Sequence, residues 1–249
     1  MSGHSKWATI KRKKGAADAR RGQLFSKLAR AIIVAAREGG PDPEANTALA
    51  NAVQKARDNS MPKDNIERAI QRGAGGGDGE AYESVTYEGY GPGGVAILLS
   101  ILTDNRNRTA ADIRHIFTKH GGSLGTPGTV AWQFDRKGIV SVEADGVDED
   151  TLVEVALEGG AEDVGLDGSQ WQVVTDPADL MAVRAALDAA GIAYASADVT
   201  MIPKTTVEPS EADAGRLLKL MDALEDNDDV QDAWANFDIS EEMMEAVAS

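Results

Sequence analysis

The first 21 residues carry Lys6, Lys11, Arg12, Lys13, Lys14, Arg20 and Arg21, with Trp7 among them. Ammonium and guanidinium groups at this density neutralise phosphates and release their condensed counterions. An indole in their midst can stack on an unpaired base. Lys27 and Arg30 continue the basic series into a helical pattern. A basic tail can also stay solvated, meet an acidic protein or lie on anionic lipid. Nucleic acid is the preferred reading, because a helical domain needs the apolar face that lipid would take. A second cluster is Asp104-Asn105-Arg106-Asn107-Arg108-Thr109, between an apolar run and a helical pattern. Arginine offers phosphate a planar fork, and asparagine can read a base edge or a 2′-hydroxyl. The same residue types serve equally as turn and cap, with Thr109 a candidate cap and Arg106 and Arg108 within reach of Asp104 or Asp112. A third is Gly121–Gly128, whose backbone amides could cradle an anion or could belong to a plain flexible loop.

Other chemistries find little support. The chain has no cysteine, which removes disulfides, thiol catalysis and thiolate metal sites. It has three histidines: His4 stands alone, and His115 and His120 are five apart, about 140° around a helix. The segment Gly73–Gly79, GAGGGDG, reads as a hinge, since no strand precedes it and no Lys-Ser or Lys-Thr follows. The acidic residues lack the spacing of a calcium loop, and no nucleophile elbow or Ser/His/Asp set is present. No metal, no cofactor and no enzymatic activity are therefore expected.

The 249 residues carry a net charge of −16, which would argue against a polyanion partner if the charge were evenly spread. It is not. Residues 1–72 have a net of +8, 73–138 a net of −1 and 139–249 a net of −23. Residues 1–37 alone hold ten basic side chains and one acid, Asp18. Such asymmetry points to a polyanion at the basic end. No run of 18 apolar residues occurs, so no membrane span is expected. No apolar stretch precedes Leu24, so a secretory signal is not expected. A transit peptide would also be basic and acid-poor, but here the basic segment runs on into a helix. A cytoplasmic location follows as the expectation.

The elements that must position these groups fall into three sets. From Gly22 to Gly39, Leu24, Phe25, Leu28, Ile32, Ala35 and Ala36 share one helical face, with Arg20, Lys27, Arg30 and Arg37 opposite. Asp42 is expected to cap a second helix with Pro43 in its first turn, and Pro62 to open a third that Gly73 closes. Beyond the hinge the period becomes two. Strands are expected at Ser84–Tyr90, Val95–Leu102 and Val130–Phe134, with a helix at Thr109–His120. From Gly138 the order is β-α-β-β-α-β, the ferredoxin-like arrangement, ending near Val199. A strand at Met201–Val207, a helix at Ser210–Leu224 and a strand at Val230–Phe237 would complete a second such unit. A peripheral helix is expected at Glu241–Val247. The fold class is α+β with three domains: a basic helical domain (1–78), a middle domain (79–137 with 201–249) and an acidic domain inserted into it (138–200).

At the blocks GHSKWATIKRKKGAADARRGQLFSKLARAI (3–32), ARDNSMPKDNIERAIQRG (56–73), YEGYGPGGVAI (87–97) and LTDNRNRTAADIRHIFTKHGGSLGTPGTVAWQF (102–134) the sequence resembles the YebC family. The resemblance is looser beyond residue 138. It implies three domains around a cleft and a cytoplasmic regulator of gene expression. Bacterial members are classed as DNA-binding transcriptional regulators. Mitochondrial relatives activate translation of cytochrome oxidase, and other members assist ribosomes on difficult stretches such as proline runs. The residues themselves leave promoter DNA and ribosomal RNA open: no helix-turn-helix is evident, and a basic tail with one aromatic suits folded or single-stranded RNA at least as well. The expected function is non-enzymatic binding of nucleic acid, with the ribosome as a candidate partner and no feature that specifies an oligomeric state. Two rivals are a protein-only adaptor that bridges partners through its opposite charges, and an enzyme for phosphorylated ligands using Gly89–Gly94 or the 121–128 loop.

Overall fold

The computed structural model describes residues 17–75, 82–240 and 243, with side chains from Arg21 onward. The helix expected at Glu241–Val247 lies outside the described residues apart from Met243.

Helix α1 spans Ala17–Gly39, five residues longer at its start than the apolar period alone indicates. Leu28, Ile32 and Ala36 recur every fourth residue and are buried, as that period requires. They form one cluster with Leu49, Val53 and Ala56 of α2 (Thr47–Asp58) and Ile66 and Ala69 of α3 (Lys63–Ala74). Two boundaries differ from the sequence reading. Asp42 only closes a turn, accepting from the Glu44 N–H at 3.0 Å, and Asn46 caps α2 by accepting from the Leu49 N–H at 3.0 Å. Asn46 prevails because its amide also donates to the Ala35 and Gly40 carbonyls, both at 2.8 Å, so one side chain serves the end of α1 and the start of α2. Gly73 does not end α3. It is buried within the helix, where a Cβ would stand 2.5 Å from the Ile33 carbonyl oxygen and 2.8 Å from the Ala36 Cβ. Its role is close approach between α1 and α3.

Next in the chain, β1 (Glu83–Tyr90) and β2 (Ala96–Thr103) form an antiparallel hairpin, in register from Glu83↔Thr103 to Tyr90↔Ala96. Its turn places Gly93 and Gly94 at φ +74° and +76°, a region that favours glycine. Helix α4 (Arg106–Lys119) and β3 (Ser123–Leu124) follow.

Residues 131–133, expected as part of a strand, form a 3₁₀ turn. Phe134 then opens β4 (Phe134–Glu143), and a separate compact unit, Phe134–Lys204, begins there. It contains α5 (Glu149–Glu158), β5 (Ala161–Asp167), β6 (Gln170–Thr175), α6 (Leu180–Ala189) and β7 (Ser196–Pro203). Its four strands lie in the order β5-β6-β4-β7, all antiparallel, around buried Val140, Leu152, Val173, Val183 and Leu187. This is the ferredoxin-like arrangement. Its first and last strands pair from Ser141↔Ser196 to Phe134↔Pro203, so the chain enters and leaves at neighbouring positions.

The chain on either side of that unit forms the other compact unit. Helix α7 (Glu211–Glu225) and β8 (Val230–Ala235) complete its sheet, in the order β3-β1-β2-β8. Ile97, Leu99, Ile113, Phe117, Leu217 and Leu220 are fully buried against one another. The strand expected at Met201–Val207 is absent from this sheet: Met201–Pro203 is the end of β7, and Val207 makes a lone bridge to Phe237. The place of the missing strand is taken by β1, which precedes β2 in the chain. The spatial order is again ferredoxin-like, reached by a permuted connection.

Candidate nucleic-acid interface

Lys6, Trp7, Lys11, Arg12, Lys13 and Lys14 lie outside the described residues, as does His4. Arg20 belongs to the α1 backbone, with its side chain outside the described set. Arg21 is exposed, and its guanidinium sits 5.4 Å from the centre of the Phe25 ring. Lys27 and Arg30 turn toward the loop between α7 and β8, Glu225-Asp226-Asn227-Asp228-Asp229. The Lys27 ammonium donates to the Glu225 carbonyl at 2.5 Å, and Arg30 Nη1 donates to the Asp228 carbonyl at 2.5 Å. Arg30 also lies 3.6 Å from Asp229 Oδ1, with its guanidinium 5.8 Å from the Tyr82 ring centre. Gln23 donates to the Asp226 carbonyl at 2.6 Å, and Lys55 of α2 reaches Asp232 at 3.1 Å. Burial lowers the Lys27 pKa from its ordinary value, and the nearby carboxylates, Glu225 first, offset part of that effect. The face of α1 expected to be solvated is thus half committed to an acidic turn of the same molecule. Among the described side chains, the exposed cations of the three helices are Arg21, Arg37, Arg57, Lys63, Arg68 and Arg72.

Arg106 and Arg108 do not lie on a loop but in the first turn of α4. Asn105, not Thr109, caps that helix, accepting from the Arg108 N–H at 3.1 Å. Arg108 Nη2 donates to Asp104 at 2.6 Å and to Asp229 Oδ2 at 3.2 Å. Asp229 is buried, and the same Oδ2 accepts from the Thr109 hydroxyl at 2.6 Å. Thr103, at the end of β2, stands 2.7 Å from Thr109 and donates more weakly to Asp229 at 3.4 Å. Asp229 therefore draws Arg30, Arg108 and two threonines to one point. Arg106 points elsewhere: it is exposed, 3.7 Å from the exposed Glu83.

The 121–131 loop has an occupant of its own. Glu88, buried in β1, accepts from the N–H groups of Gly128 at 2.7 Å, Val130 at 2.6 Å and Ala131 at 2.8 Å. Burial opposes the charge on Glu88, but the three donors outweigh it and hold the carboxyl below its ordinary pKa. Beside these amides Trp132 is 67% exposed, its indole N–H donating to the Thr129 carbonyl at 3.1 Å. Neither Glu88 nor Trp132 stood out in the sequence, although an acid inside an alternating strand was a signal for the first.

Among the described residues no group of three His, Asp or Glu could hold a metal ion, and no helix is long and apolar enough to cross a membrane.

Known proteins place the chain. Residues 5–76 match the family described as TACO1/YebC protein N-terminal domain, and 82–237 match TACO1/YebC second and third domain. A "Probable transcriptional regulatory protein" of Rubrobacter xylanophilus is 64% identical over 249 residues, covering all of both chains. One of the same name from Geotalea uraniireducens is 57% identical, covering 98% of this chain and 99% of its own. The crystal structure of a conserved hypothetical protein from Aquifex aeolicus superposes with a TM-score of 0.80 at 49% identity, covering 90% of this chain and 93% of that one. With both sets of domains matched in order and relatives similar from end to end, the chain is a member of the TACO1/YebC family.

Proposed function

We propose that this protein is a non-enzymatic regulator of gene expression that works in the cytoplasm by binding nucleic acid through its basic N-terminal region. The observation that carries the reading is the ten-to-one excess of basic over acidic side chains in residues 1–37. The names of the full-length relatives support the regulatory role. Because Lys27 and Arg30 already face carboxylates and carbonyls, the binding falls chiefly to Lys6, Lys11, Arg12, Lys13, Lys14, Arg20 and Arg21, with Trp7 as a stacking group. Arg106 is the better of the two α4 arginines for a secondary contact, since Arg108 is held by Asp104 and Asp229. The ligand is either promoter DNA, which would suit relatives named as transcriptional regulators, or ribosomal RNA. Crosslinking in cells followed by sequencing of the bound strands separates the two.

The direct test removes residues 2–16, which precede α1 and every described core residue. The shortened chain should melt like the parent and lose most of its affinity. If about 6–10 basic groups meet phosphates, the parent should lose roughly 10³–10⁵ in affinity between about 50 and 200 mM salt. A shortened, folded chain that binds as the parent does, or a parent with a flat salt response, would defeat the reading.

A further inference from the structure

Trp132 is the most exposed of the large apolar side chains among the described residues. Trp171 and Trp234 are partly buried, and Trp171 packs on the core of its own unit. Trp132 joins none of the three apolar clusters. Leaving an indole in water forgoes the burial that makes the residue useful to a core.

The segment that presents it is nevertheless built with care. Val130 is fully buried and anchors the 3₁₀ turn. Glu88 takes three consecutive-region amides, a commitment of a buried carboxylate whose main effect is to set the shape of this turn. The Thr129 hydroxyl donates to the Thr126 carbonyl at 2.5 Å. The indole is pinned by its N–H edge to Thr129, a bond that occupies no ring face. An aromatic held this way loses little freedom when something stacks on it.

The stretch of chain that carries the turn suits a polyanion. Between Asp112 and Asp135 the chain has no Asp or Glu and includes Arg114 and Lys119; Asp135 itself is paired with Lys204 at 3.2 Å, and Glu88 is buried beneath the turn. The amides of Gly128, Val130 and Ala131 are already satisfied by Glu88, so they are not a phosphate cradle. What this turn offers outward is a ring. We infer that Trp132 is a stacking platform for an unpaired base of the bound nucleic acid, a second contact on the middle domain separate from the N-terminal tail. The inference rests on the nucleic-acid reading above and adds the single-stranded character of the ligand at this point. A duplex keeps its base faces covered and has nothing to give this ring.

The test compares the full-length parent with Trp132→Ala and Trp132→Phe on unstructured RNA and DNA oligonucleotides and on a blunt duplex. Stacking on an aromatic is sequence-tolerant, and its loss by alanine substitution should weaken single-strand binding by about tenfold or more. The salt slope should stay that of the parent, because no cation is lost. Duplex binding and the melting temperature should change little, and Trp132→Phe should recover most of the lost affinity. Whichever strand, ribose or deoxyribose, shows the larger loss identifies the sugar at the site. If Trp132→Ala binds single strands as the parent does, the inference fails while the functional reading stands. An equal loss on duplex, no recovery with phenylalanine, or a change only in self-association or protein partners would also overturn it. If the parent binds no nucleic acid, the functional reading fails and this inference with it.

Discussion

Glu88 illustrates how a single side chain can organise a loop from inside a sheet. Its three N–H partners lie 40 to 43 residues away, so its removal acts at a distance in sequence but at contact in space. Glu88→Ala should cost on the order of 3 kcal/mol: a buried donor left without a partner is penalised by about 1–3 kcal/mol, which applies in full to Val130 and in part to the more exposed Gly128 and Ala131. The pH dependence has a definite sign. The folded pKa is lowered from 4.5, so the stabilisation is present above about pH 4.5 and is lost as pH falls through the lower folded value. Urea melts taken from neutral pH into acid should show this limb in the parent and a flatter one in Glu88→Gln; identical limbs would remove Glu88 from the account. Asp229 has the same character, joining Arg30, Arg108, Thr103 and Thr109 from three other elements. Such hubs were not legible in the sequence, where Glu88 and Asp229 are two among 41 acids. Arg106 and Arg108 looked equivalent there, two residues apart. What separates them is Asp229, 121 residues beyond Arg108, which no local pattern reveals.

Elements whose signals are local read correctly. The four-residue recurrence of Leu28, Ile32 and Ala36, the apolar run of β2 and the β-α-β-β-α-β order of the Phe134–Lys204 unit each follow from side-chain periodicity. Decisions between competing local signals read less well. Asp42 and Asn46 are both good caps, and the choice depended on carbonyls at the end of another helix. The middle sheet misled for a different reason: β4 and β7 are long strands that continue past the expected domain edge, so 201–203 looked like the start of a new strand. Gly73 resembled a helix terminator but is a contact. Gly73→Ala tests this at the level of the helix pair. On an isolated helix the change would gain about 1 kcal/mol. Here the new methyl meets the α1 backbone, and overpacking of this kind costs about 1–3 kcal/mol. Chemical denaturation should show net destabilisation, and a more stable variant would mean that α1 and α3 separate freely.

Across the whole molecule, charge and connectivity follow different divisions. The basic end is separated in sequence from the acidic end, yet the turn at 225–229 lies against α1, so part of the opposite charge meets within one unit. Connectivity matters for how the molecule assembles. Strand β8 must find β2 across about 130 residues of chain, a closure whose entropy grows with the logarithm of length. About half of that span is the Phe134–Lys204 unit, whose first and last residues are brought together by the pairing of β4 with β7. Once that unit has folded, it shortens the loop by about half, which lowers the closure penalty by about 0.6 kcal/mol and should speed closure roughly threefold. The inserted unit therefore acts as a clamp in time: it should fold first, and the permuted sheet should form after it. Leu152→Ala, which weakens the inserted core without touching the other sheet, is expected to slow the appearance of β8 protection in pulsed hydrogen exchange. Simultaneous protection of both sheets at an unchanged rate would show that the order of assembly is independent of the insertion. By this logic an inserted sequence with adjacent ends does not burden the host that carries it but helps its distant strands to meet.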